Sequence, residues 1–319
     1  MVNVVTQRSG QCWLLEPEPD SVEAFHAALL GCVYQEGASQ GQWKYREYIP
    51  SSPDIVISNS GSSMDGGDEG WLRERFSSRY RIRPATLLPG QYHPRIWRNG
   101  WSHTSDCRGF DAEYPRGLAA ARRSAAASVH QLLVQLAGVF DVVEPSDTNR
   151  TAHGPEMRRV LLLACMEVEA AARGILTVNR YPDTNRLNTS DYVELLEPMR
   201  LNEYALRLTL YRDEWQYPVT PFLSWNSSHP TRSLSWYDAY NAAKHDRESN
   251  RHRADLQSVV DAVGAACILL VAQSGDRAAE VRAVLEHIAG FVFESQPEWR
   301  PEQLYFPADE CGFEAVPLW

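Results

Sequence analysis

From residue 115 onward the chain sets apolar residues at three- and four-residue steps: Leu118, Ala121, Ala125, Val129, Leu132, Leu136 and Val139. That recurrence predicts a helix with one apolar face, Pro115 suiting its first turn and Pro145 closing the element. Leu161, Cys165, Val168, Ala172 and Ile175 predict a second helix over about residues 155–176. It is apolar on every side from Val160 to Met166, which predicts the central and most buried helix, interrupted by Glu167 and Glu169. A helix opening at Ser233 or Ser235 carries Trp236, Tyr240 and Ala243, and a further stripe runs Leu256, Val260, Val263, Cys267, Leu270. Ser274-Gly275-Asp276 reads as a turn, after which Val281, Val284, Leu285, Ile288 and Val292 predict a last helix.

The rest of the chain lacks this period. Before residue 114 it is irregular, with one helix expected near residues 20–33 and strand-like runs at Tyr45–Ile49 and Asp54–Ser58. Residues 59–70 have the composition of a solvated linker. Residues 178–232 break the helical pattern: Tyr204–Tyr211 alternates with period two, and Pro218, Pro221 and Pro230 punctuate loops around Trp215 and Trp225. This predicts an insertion with a small β-hairpin. The tail from Pro297 to Trp319 reads as a strap. The expected organisation is an N-terminal α+β region (1–113), a mainly α bundle (114–296, with 178–232 as a β-containing insertion) and a C-terminal segment (297–319).

Composition narrows the function classes. A net charge of −10 and pI near 5.4 argue against a broad polyanion-binding surface, which needs a basic stripe. The six cysteines are scattered with no C-x-x-C pair, so zinc knuckles and thioredoxin-type pairs are unsupported and reduced thiols are expected. The N-terminal residues lack a signal-type apolar run, and the uncharged run Ala262–Ala272 is too short to cross a bilayer. A cytoplasmic protein with no membrane association is the expectation. Nucleophile-elbow, phosphate-loop, dinucleotide-glycine and H-E-x-x-H motifs are absent, so no cofactor is expected.

One segment departs from the acidic background. Of the 31 basic residues counted as Lys or Arg, two are lysines, Lys44 and Lys244, and the second stands beside His245. Lys244, Arg247, Arg251 and Arg253 outnumber Asp246 and Glu248, a local excess of positive charge. If residues 240–253 are helical, Asn241, His245, Glu248 and His252 share one face, while Tyr240, Lys244, Arg247 and Arg251 share the next. If the helix breaks near 246–250, Arg247 and His252 still face each other across the bend. Three readings compete. In phosphodiester cleavage, Arg247 stabilises the charge building on phosphorus and His252, kept neutral by Arg251 and Arg253, is general acid or base. A metal site of His245, Glu248 and His252 requires ligands about 10 Å apart along a straight helix, too far for one ion. In a purely structural role, Lys244 and Arg247 pair with Glu167 or Glu169 and fix helix registry. Trp236, Tyr237 and Tyr240 are either core or a platform for stacking bases.

The run Arg247-Glu248-Ser249-Asn250-Arg251-His252, an arginine and a histidine with four residues between them within a helical domain, resembles the HEPN superfamily. The resemblance covers about residues 115–295. It implies an all-helical bundle, metal-independent RNA cleavage in toxin–antitoxin or antiviral defence, and Arg247 with His252 acting on the phosphate across a homodimer interface. An antitoxin or defence partner is implied as well. Glu248 departs from the Asn, Asp or His usual at its position. The segment Tyr240-Asn241-Ala242-Ala243-Lys244-His245-Asp246-Arg247 also resembles bacterial proteins sharing a Tyr-Asn-x-x-Lys-His-x-Arg core. That likeness puts the weight on Asn241, Lys244, His245 and Arg247, with His245 the working histidine and Glu167 its orienting partner. The alternative to an RNA- or nucleotide-acting enzyme is a non-catalytic helical interaction module.

Overall fold

The computed structural model describes residues 8–17, 29–36, 43–48, 80–84, 86–87, 91–98, 116–208, 210–276, 278–287, 291–300, 303, 305 and 314–319. The strand-like run at 54–58 and the linker at 59–70 lie outside the described residues. The chain forms two compact units. One comprises Met1–Tyr92, Arg98–Tyr114 and Glu298–Val316; the other comprises His93–Trp97, Pro115–Pro297 and Pro317–Trp319. Two short segments therefore leave the expected division: His93–Trp97 joins the helical unit, and the tail is shared instead of forming a single strap.

In the first unit, β1 (Arg8–Pro17), β2 (Leu29–Glu36), β3 (Trp43–Tyr48) and β4 (Tyr80–Pro84) form an antiparallel sheet in the order β3-β2-β1-β4. The helix expected near 20–33 is corrected at its C-terminal part, where residues 29–33 belong to β2. Gly31 opposes helix in that run, while Val33 and Tyr34 suit a strand that β1 and β3 pair on both edges. A short parallel pair joins β5 (Gln91–Tyr92) to β8 (Glu314–Ala315), reinforced by Gln91 Nε2 donating to Glu314 Oε2 at 3.0 Å. Nearby, the Arg98 guanidinium lies 5.3 Å from the Trp299 ring centre and 5.2 Å from that of Tyr305.

The second unit is mainly helical. Its elements are α1 (Arg116–Phe140), α2 (Pro155–Val178), β6 (Ala205–Leu208), α3 (Ser235–His245), α4 (Leu256–Ser274), α5 (Ala279–His287) and β7 (Phe291–Ser295). Turns of helix at Thr189–Tyr192 and Leu196–Met199 fill the connection after α2. Pro155 occupies the first turn of α2, where its missing N–H is no loss. Asp255 caps α4, its Oδ1 accepting from the Ser258 backbone N–H at 2.9 Å.

The central helix is α4, not α2. Every α4 residue except Gln257 and Asp261 is buried, whereas α2 exposes Leu163 (37%) and Met166 (57%) to solvent. Apolarity all round one stretch of α2 suggested the opposite; the longer apolar length of α4 takes the centre, with α1, α2 and α3 packed on it. This helix also corrects the membrane argument. At 19 residues and a mean hydropathy of 1.7 it is long and apolar enough to span a bilayer, but 89% of that window is buried within the protein. Trp215, Trp236, Tyr240 and Phe222 are wholly enclosed in the same core, each contributing on the order of 2–3 kcal/mol by burial.

The expected hairpin is not local. β6 pairs with β7, antiparallel, some eighty residues later in the chain, and among the described residues a single bridge, Leu206 to Val219, links it to the segment that follows. Pro218 and Pro221 flank Val219 and offer no N–H, so that bridge does not extend into a ladder. Val292, expected on the last helix, lies in β7 instead.

Candidate functional site

The charged segment is a helix end followed by a tight turn. Ser235 opens α3 without acting as its cap; Leu234 holds that position and its carbonyl accepts from Tyr237 and Asp238. Trp236, Tyr237 and Tyr240 point inward and are buried, so they are core and not a stacking platform. The helix stops at His245 because Asp246 folds the chain locally. Its Oδ1 accepts from the Ser249 N–H at 3.2 Å, and its carbonyl accepts from the Asn250 N–H at 3.2 Å and Asn250 Nδ2 at 3.0 Å. Asp, Ser and Asn side chains compete with helical hydrogen bonds in this way. A short 3-10 turn, Arg251–Arg253, leads into α4.

The shared helical face of His245, Glu248 and His252 therefore does not exist, and the metal reading loses its geometry. What the turn does is close residues 246–250 into one loop and hold Arg247 and Arg251 on it. His245, Arg247, Glu248, Arg251 and His252 are all exposed, and their side chains make no hydrogen bond or ion pair to a described residue. Asn241 is half-buried. Arg253 is the exception: its Nη2 donates to Asp238 Oδ2 at 2.6 Å and ties the turn back to α3.

Lys244 Nζ donates to the Tyr240 hydroxyl at 3.1 Å. That bond, assisted by the field of Glu169, raises the pKa of the ammonium and keeps it charged. Neither Lys244 nor Arg247 forms an ion pair with Glu167 or Glu169, so the registry reading does not describe them. Glu167 is also corrected as the orienting partner of His245. Burial raises its pKa, against the opposing influence of Ser128 on α1 and of the Arg95 guanidinium. It is Glu169 that faces α3, accepting from the Tyr237 hydroxyl at 2.6 Å. Burial, then that bond, pushes the Tyr237 phenol well up, so it remains a donor.

Reasoning from sequence missed Glu169's partner and the arginines near it. Arg173 Nη2 reaches the Tyr192 hydroxyl at 3.5 Å, and Arg95 Nε donates to Gln273 Oε1 at 2.8 Å. A signal was present: Gly174 interrupts a helical pattern, and such a glycine often marks a close approach. Chemically, the turn offers exposed cations and two imidazoles to an anion, while the face of α2 carries the Glu169 carboxylate and, near Gly174, the guanidinium groups of Arg173 and Arg95. No protein-family model, no curated protein and no solved structure matches this chain.

Proposed function

We propose that the chain is a HEPN-like protein that binds RNA or a nucleotide phosphate on the turn 244–252 and cleaves RNA without a metal ion. In this reading it works as a homodimer in the bacterial cytoplasm, in defence or toxin–antitoxin biology. One observation carries it: Lys244 at the end of α3 and Arg247 and Arg251 on the hydrogen-bonded turn after it stand exposed, with no acid among the described residues bonded to any of them, and His245 and His252 stand beside them in the chain. Exposed guanidinium groups suit phosphate oxygens, and imidazole is the side chain suited to moving protons near neutral pH. One imidazole takes the proton of a ribose 2′-hydroxyl as its oxygen forms a bond to phosphorus. Arg247 stabilises the added charge. The P–O5′ bond breaks and the departing oxygen takes a proton from the other imidazole, leaving a cyclic phosphate and a 5′-hydroxyl.

The test is cleavage of labelled single-stranded RNA in the presence of EDTA. Wild-type protein cleaves; Arg247→Ala, and His245→Ala or His252→Ala, lose activity by about a hundredfold or more. Equal cleavage by all three variants, or none by the wild type, overturns the reading. A second reading, a non-catalytic interaction module, is favoured by one specific feature, the exposure of Leu163 and Met166 on α2.

A further inference from the structure

Of the 31 basic residues only Lys44 and Lys244 are lysines, and the surroundings of Lys244 explain the choice there. Lys244 lies in the last turn of α3, one helical turn after Tyr240 on the same face. The helix end favours a cation at that place. Tyr240 is a core side chain, 2% exposed, yet its hydroxyl accepts from Lys244 Nζ at 3.1 Å, and the ammonium lies 5.1 Å from its ring centre. The Tyr240 ring packs in turn on Tyr237, 5.3 Å between centres, and the Tyr237 hydroxyl donates to Glu169 of α2. The ammonium is therefore held by a side chain locked in the core. An ammonium carries three donors on one atom, so with one on the hydroxyl, two remain for an incoming anion. A guanidinium spreads its charge over a rigid planar fork and does not reproduce that contact.

Arg247 and Arg251 are placed differently. They stand on the loop that Asp246 closes, and no described residue fixes their guanidinium groups. We propose that Tyr240 is a positioning residue for the turn 244–252: its hydroxyl presents the Lys244 ammonium at one fixed place, where it meets the phosphate oxygen that gains charge during cleavage, while Arg247 and Arg251 close on the anion from the loop. The proposal rests on the reading of that turn as an RNA-cleaving phosphate site. Without the hydroxyl, the flexible lysine stem still lets the ammonium pair with a ground-state phosphate, so binding changes little. What is lost is a charge already standing where the transition state needs it, and that loss falls on turnover. The groups that face the ammonium are Tyr240 on its own helix and Glu169 and Cys165 on α2. The hydroxyl bond does most to raise the ammonium's pKa and Glu169 adds to it, while burial raises the Cys165 thiol and keeps it uncharged.

The experiment compares Tyr240→Phe, Lys244→Ala and the double variant of the full chain in metal-free cleavage of single-stranded RNA. Tyr240→Phe keeps the buried ring, and its urea midpoint checks the fold. Its kcat falls about tenfold while KM stays within about twofold of wild type. Lys244→Ala, at an exposed position, loses at least as much kcat and raises KM as well. Adding Tyr240→Phe to Lys244→Ala costs nothing further, because the hydroxyl acts only through the ammonium. Lys244→Arg keeps the charge and does not restore kcat. Because the chain has two lysines, pH-dependent trace acetylation read by mass spectrometry follows Lys244 directly. Its midpoint moves to lower pH in Tyr240→Phe, and that of Lys44 stays where it was. No cleavage by the wild type overturns the reading of the turn and this proposal with it. If the wild type cleaves, any of four results overturns this proposal alone: full kcat in folded Tyr240→Phe, full kcat in Lys244→Ala, a further loss in the double variant, or an unmoved Lys244 midpoint.

Discussion

The Arg253 guanidinium donates to Asp238 Oδ2 at 2.6 Å, fastening the far end of the charged turn to the first turn of α3. Both side chains are about one-third exposed, so solvent screens the pair and its contribution to stability is small, about 0.5–1 kcal/mol. Its effect on the turn is larger, because it limits where Arg247, Arg251 and His252 can go. Asp238→Ala lowers RNA cleavage several-fold while shifting the urea midpoint little. Unchanged cleavage with unchanged stability would show that the turn needs no fastening.

The Tyr237 hydroxyl and Glu169 form a polar contact between α2 and α3. Removing the hydroxyl in Tyr237→Phe strips a half-buried carboxylate of its donor and costs about 1–3 kcal/mol, measurable by denaturant unfolding. The pH dependence has a definite sign. The phenol's pKa is raised on folding above its ordinary 10.0, by burial first and Glu169 second. Its stabilising contribution is therefore complete below pH 10 and is lost as pH rises through the folded value. Wild type loses stability faster than Tyr237→Phe in that alkaline range.

Much of the helical unit was legible from apolar spacing, since Leu132, Leu136 and Val139 on α1 and Val260, Val263 and Cys267 on α4 all turn inward as their period requires. What spacing could not supply was non-local or carried by single side chains. β6 pairs with Phe291–Ser295, a partner that no local pattern names. The end of α3 at His245 depends on one aspartate capturing the Ser249 amide, which leaves no periodic trace. The burial of α2 was overestimated because apolarity states a preference, and α4 satisfied it first. The approach of Arg95 to α2 was invisible because it depends on a left-handed backbone angle, φ 57°, and on the missing side chain of Gly174. The exposed cations of the turn were legible as a charge excess; their freedom from Glu167 and Glu169 was not.

Asp261 carries a prediction about stability. Burial raises its pKa from 3.8 to about 6, against the opposing hydrogen bond from Gln257 Nε2 at 2.8 Å. A carboxyl whose folded pKa is raised destabilises the native state once pH exceeds the unfolded value. The penalty grows between pH 3.8 and about 6 and is constant above. Asp261→Asn keeps an acceptor for Gln257 and loses the ionisation, so it is more stable than wild type by about 1–3 kcal/mol at pH 7.5. The difference vanishes near pH 3.5. Urea titrations at the two pH values decide it.

Gly174→Ala tests the close approach of Arg95 to α2. Alanine favours helix over glycine by about 1 kcal/mol, and the atom it strikes is the end of a flexible side chain that can swing away. The variant keeps its melting temperature or gains a few degrees. A loss of several degrees would show that the guanidinium is fixed where it lies.

The central claim is that Lys244, Arg247 and Arg251 meet phosphate directly, and the salt dependence of RNA binding measures that contact. For single-stranded RNA, three neutralised phosphates give a slope of log affinity against log salt of about −2. The triple variant Lys244→Ala/Arg247→Ala/Arg251→Ala should lose nearly all of that slope along with most of its affinity at low salt. Wild-type affinity that ignores salt, or a triple variant with an undiminished slope, would contradict the account.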